Sequence, residues 1–126
     1  MRAAALVLVL LPFLVFAGQD AAYHLRGRKP GLPENLTHLV LGASQVFLMV
    51  SAFRADVRRI VFAALLVAVF GAIDELGFHR ALPARESDLH AKAHFALFSF
   101  VALALAFAVF PDLASVTGLL HGEAAP

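Results

Sequence analysis

The sequence predicts an all-α integral membrane protein, a four-helix bundle running up-down-up-down with both termini on the same side. Two observations predict it. At 61% hydrophobic and only 15% charged, with a mean hydropathy of +0.83, the chain is far more apolar than a soluble domain of 126 residues. Its apolar residues also fall into four segments, Ala3–Ala22, Pro33–Phe53, Val57–Phe78 and Asp88–Phe110. Each is close to the roughly 20 residues a helix needs to cross the hydrocarbon layer.

The first segment follows Arg2 and is uninterrupted to Gly18. With Val15, Phe16 and Ala17 before that glycine it also fits a secretory signal peptide, but Ala21, Ala22 and Tyr23 carry the run to spanning length. The connection from Leu25 to Leu32 has the glycines and proline of a helix break, and Pro33 with Glu34 suits the opening turn of the second helix. Only Arg54 to Arg59 separate the second and third segments, so these helices are expected to be antiparallel neighbours. Pro83 interrupts the third connection, Ser87-Asp88 reads as an N-cap for the fourth helix, and Pro111 ends that helix before a mixed tail, 111–126.

Several functions are excluded at once. There is no cysteine, so disulfides, thiolate metal sites, iron–sulfur clusters and cysteine nucleophiles are absent. A formal charge of +1 with scattered basic residues offers no surface for nucleic acid. No phosphate-binding glycine loop, nucleophile elbow, internal repeat or long heptad run is present. The expected location is a multi-pass membrane protein, bacterial and of the plasma membrane, with the lipid bilayer as its solvent and a homo-oligomer or larger membrane complex as its further partner. Lys and Arg are more numerous in the two longer connections than on the side of the termini, which leans those connections toward the cytoplasm.

The informative residues are the polar ones. Four crossings bring the end of helix one, the start of two, the end of three and the start of four to one face, and His24, His38, His79, His90 and His94 all fall there. Only His121, in the tail, does not. Acid and histidine recur four residues apart as Asp20/His24, Glu34/His38, Glu75/His79 and Glu86/His90/His94. Side chains at that spacing share one helix face, so each helix can present ligands in one direction. Ala64, Ala68, Gly71 and Glu75 form a stripe of small residues ending in an acid, and His38, Gly42, Gln45 and Met49 form a similar line. Asp74 is about 100° around the helix from Glu75. Glu75 is therefore the preferred ligand, and Asp74 an alternative or a partner that orients a ligand.

Several of these groups also have an ordinary structural explanation. Acids at helix starts and histidines at helix ends suit the helix dipole, which accounts for Glu34, Glu86, His24 and His79 without any ion. His38 and His94 oppose the dipole about a turn inside the membrane, and so does Glu75 near a helix C-terminus. The expected centre is therefore His38, Glu75 and His94, followed by His79, His90, Glu34, Asp74 and His24 as metal ligands.

With nitrogen and oxygen donors alone, a divalent zinc, iron or manganese ion is the expected cofactor. If such a centre is catalytic, the catalytic residues are unassigned beyond Glu75 or Asp74 as the candidate general base of a membrane hydrolase; a di-iron oxidoreductase is the other enzymatic form. The Glu-x-x-x-His spacing departs from the Glu-x-x-His of ferritin-like di-iron bundles, and the chain is not assigned to that family. From a different class, haem b between His38 and His94 would make the protein a membrane anchor or electron-transfer subunit, although the carboxylates are then superfluous. A proton- or cation-linked transporter and a structural accessory subunit complete the alternatives.

Overall fold

The computed structural model describes residues 2–27, 30–80 and 82–110. It contains four helices, α1 (Arg2–Gly27), α2 (Leu32–Phe53), α3 (Val57–Gly77) and α4 (Ala84–Val109), and no strand among the described residues. All four are long and apolar enough to cross a membrane. Arg28 and Lys29 of the first connection, and Pro111, His121 and the rest of the tail, lie outside the described residues.

Two boundaries differ from the sequence expectation, and both matter for the site. Helix α1 continues past Ala22 to Gly27, with His24 and Arg26 in a last turn that favours positive side chains. Helix α4 begins at Ala84 rather than at Asp88. Pro83 takes the cap position and its carbonyl accepts from Ser87 N at 3.0 Å, so Ser87-Asp88 lies inside the helix and Glu86 in its first turn. Proline is at home there, because it has no N–H to lose and its φ is already set.

The other ends follow local chemistry. Gly31 caps α2, with Pro33 in the first turn, and Asn35 N donates to Gly31 O at 2.9 Å. Asp56 caps α3 by accepting from Arg59 N at 3.1 Å. The turn before it is so short that Ala55 adopts a left-handed φ of 55°. Within the helices Ser44, Ser51 and Ser99 return their hydroxyls to the carbonyl four residues earlier, which leaves no bare donor in apolar surroundings.

The helices associate as two pairs. Helix α1 lies along α4, and α2 along α3, with much sparser contact between the pairs. Leu6, Leu10 and Phe13 of α1 join Ala93, Leu97, Phe100 and Ala104 of α4 in the core, which Leu41 and Leu48 of α2 and Ile60, Ala63 and Val67 of α3 complete. Large apolar side chains such as Leu8, Leu39, Leu65 and Phe95 point outward and are exposed. That is the arrangement of helices whose outer surface meets lipid.

Both ends of the seam between the pairs carry polar ties. At one end Arg2 donates from Nη2 to the carbonyls of Ala52 (3.2 Å) and Phe53 (2.7 Å), where α2 ends. At the other end stands the histidine and carboxylate cluster.

Candidate metal centre

The cluster is assembled from the ends of all four helices. Five imidazole rings form a connected set in which His24, His38 and His79 make a triangle with centroids 5.1 to 5.7 Å apart. His90 lies 4.8 Å from His79, and His94 lies 4.5 Å from His90. Asp20, Glu34, Asp74, Glu75 and Glu86 stand among them.

The acids and histidines pair between helices, not four residues along one helix. His24 Nδ1 meets Glu86 Oε1 of α4 at 2.7 Å, and His90 Nδ1 meets Asp20 Oδ2 of α1 at 3.1 Å. His38 Nε2 of α2 meets Asp74 Oδ1 of α3 at 3.0 Å. His79 Nε2 lies 3.6 Å from Glu34 Oε1, and its Nδ1 lies 3.3 Å from Asp74 Oδ2. The shared face of an i,i+4 pair explains much of this: except for Glu75, the acids of these pairs reach groups on the neighbouring helices from inside the bundle.

His79 owes its position to the end of α3. Its backbone N–H returns to Asp74 O at 3.2 Å, alongside the bond from Phe78 N at 2.9 Å, and this folds the residue back beneath the helix. The imidazole is thereby fully buried beside the carboxylate of Asp74. Burial holds its pKa below the ordinary histidine value, outweighing the Asp74 charge that acts in the other direction.

The structure places Asp74 and Glu75 differently from the sequence ranking. The Asp74 side chain is 1% exposed and touches His38 and His79, whereas that of Glu75 is 49% exposed and reaches His90. The reason is the face that α3 buries. Ile60, Ala63, Val67 and Asp74 make the contact, one position away from the stripe Ala64, Ala68, Gly71 and Glu75. Ala68 and Gly71 instead line a groove of about 250 Å³ with Glu75 and His94. A Cβ at Gly71 would meet nothing within 4 Å, so no helix approaches closely there. The second line behaves alike: His38, Gly42 and Gln45 border a cavity of about 230 Å³ that Asp20, Asp74, His90 and His94 also line.

Four sets of side chains bring ligand atoms within 4.8 Å of one another: His24, Glu34, His38 and His79; Asp74, His79 and His90; Glu75, His90 and His94; and Asp20, His24 and Glu86. The three residues expected at the centre are thus divided, His38 in one set and Glu75 with His94 in another. Asp20 and Glu86 were visible in sequence as members of acid–histidine pairs but were not ranked as ligands. Glu86 enters a helix only through the extra turn at the start of α4, and its partner His24 through the extra turn of α1, neither of which hydropathy alone included; Asp20 lay within the expected first helix.

No family model, curated protein or solved structure matches the chain. Its function is therefore read from the side chains themselves.

Proposed function

We propose that the protein is a membrane metalloprotein whose principal ion is held by His24, Glu34, His38 and His79. One relationship carries this reading. His24 Nε2 and His79 Nε2 face each other at 3.2 Å while a carboxylate lies near the Nδ1 atom of each ring, Glu86 at 2.7 Å and Asp74 at 3.3 Å, without an aligned hydrogen bond. With the proton of each ring on Nδ1, the side of Glu86 and Asp74, lone pairs are left on the two facing Nε2 atoms. Two lone pairs at that distance repel unless a cation or a proton stands between them.

A shared proton would satisfy that pair alone. An ion also accounts for Glu34 and His38, whose ligand atoms fall within 4.8 Å of the same two nitrogens. The 3.2 Å separation is close to the roughly 3.3 Å edge of a tetrahedron built on metal–nitrogen bonds of about 2.0–2.1 Å. Imidazoles backed by carboxylates are the usual setting of metal-bound histidine, because the outer partner fixes tautomer and ring orientation. Three imidazoles and one carboxylate, with no sulfur, suit zinc best, with iron or manganese as the other candidates.

The haem alternative has less support. The cavity between His38 and His94 is about 230 Å³, below the roughly 300–1,000 Å³ of pockets that enclose drug-sized ligands. Carboxylates also pack against four of the five imidazoles, where axial ligation of haem has no use for them.

The test is elemental analysis with an absorption spectrum on detergent-purified protein made without a histidine tag. Near-stoichiometric metal without a Soret band is expected, and Glu34→Gln should deplete it while His121→Ala does not. A Soret band, or a metal content indifferent to Glu34→Gln, overturns the assignment.

A further inference from the structure

We infer that the cluster holds a second ion, bound by Glu75, His90 and His94 in a site that leaves one coordination position open to the groove between α2, α3 and α4. The inference rests on the reading above for the kind of ligand, but uses a separate set of residues.

Glu75, His90 and His94 bring ligand atoms within 4.8 Å of one another, and none of them belongs to the four-residue set. Glu75 Oε2 lies 3.2 Å from His90 Nε2, and the His90 and His94 rings are 4.5 Å apart. His90 differs from His24 and His79 in that its Nδ1 makes an aligned hydrogen bond to a carboxylate. Its Nδ1 is held by Asp20 of α1 at 3.1 Å, so its Nε2 is the free nitrogen, and that atom is buried without an aligned hydrogen bond. The residue as a whole is only 9% exposed. A buried imidazole nitrogen without a partner, beside a carboxylate and a second imidazole, is a ligand position in search of a cation.

The two sets differ in closure. Structural sites are completed by four protein ligands, whereas catalytic sites keep three and leave a position for water or substrate. Glu75 and His94 border the groove of about 250 Å³ lined further by Ala68, Gly71, Leu97 and Phe98. Glu75 and Phe98 are exposed, so this groove reaches the outer surface of the bundle. The open position faces an apolar channel that a lipid-soluble molecule can enter from the membrane.

Asp74 stands between the two sets. Its carboxylate touches His38 and His79 of the first and lies 4.0 Å from His90 Nε2 of the second.

The experiment is to load metal-free, detergent-purified full-length protein with Co(II), remove excess by gel filtration, and count bound cobalt. The expected result is two equivalents for the unaltered chain and one for His94→Ala. Glu75→Gln, a milder change at an exposed side chain, should also give one. Azide should alter the cobalt absorption bands of the unaltered protein and not those of His94→Ala. One equivalent that His94→Ala and Glu75→Gln leave in place but Glu34→Gln removes overturns the second site and spares the first. No bound cobalt overturns both. Two equivalents with no spectral response to azide overturn the open position.

Discussion

His24 Nε2 and His79 Nε2 meet at 3.2 Å, one from the last turns of α1 and the other from just beyond the end of α3. Helices α1 and α3 belong to different pairs, so this contact closes the seam between them. Replacing His79 by Ala removes one of the two facing nitrogens. Affinity for the first ion should fall by at least the roughly 10–100-fold that the loss of a mere orienting partner costs. Competition with a chromogenic chelator measures it, with circular dichroism confirming that the helices persist.

Asp74 and Glu75 are adjacent in sequence and opposite in consequence. Asp74→Asn removes the charge that orients His38 and His79, and should weaken the first site about 10–100-fold. Glu75→Gln alters a side chain that touches neither of them and should leave that site within about twofold. The same chelator competition separates the two. Equal effects would place the first ion elsewhere.

The four spans and the face on which polar groups gather were legible in the sequence because hydropathy and an even number of crossings are enough to specify them. The i,i+4 acid–histidine pairs, His38 and His94 lie on turns whose side chains the fold brings together. What the sequence did not reveal was rotation. Whether Asp74 or Glu75 turns inward depends on which stripe of α3 is buried, and small residues were the misleading signal. Ala68 and Gly71 border open space, while Ile60, Ala63 and Val67 make the contact. Nor did helical spacing identify partners such as Glu86 for His24, because those pairs form across the bundle.

Acid should strip the metal. Burial favours the neutral form of His79, so its folded-state pKa lies below the ordinary value of about 6.5. The sign follows: relative to the unfolded chain, the contribution of His79 is complete above that ordinary value and is lost as pH falls through the lower, folded one. Protons and metal compete for the imidazoles, so metal content should hold near pH 7 and drop below about pH 6. Equilibrium dialysis across that range against a fixed zinc concentration tests this. Retention of metal at pH 4 would contradict it.

The end of the bundle away from the cluster should be independent of it. Asp56→Ala removes the cap that accepts from Arg59 N and should cost about 1 kcal/mol. Thermal unfolding in detergent should shift downward by a few degrees, while bound metal per chain stays unchanged. A parallel loss of metal would mean that the two ends are coupled through the helices.

The pairing of the first helix with the last sets the order in which the helices can assemble. The α2–α3 hairpin can settle once α3 has been made, yet α1 must wait for its partner until α4 is synthesised. Glu86 and His90, which steady His24 and Asp20, arrive with that final segment. A nascent chain halted before Ala84 would carry His24, Glu34, His38 and His79 without Glu86 and His90 of α4, so on the proposed reading capture of an ion would be a late event that reports completion of the fourth helix.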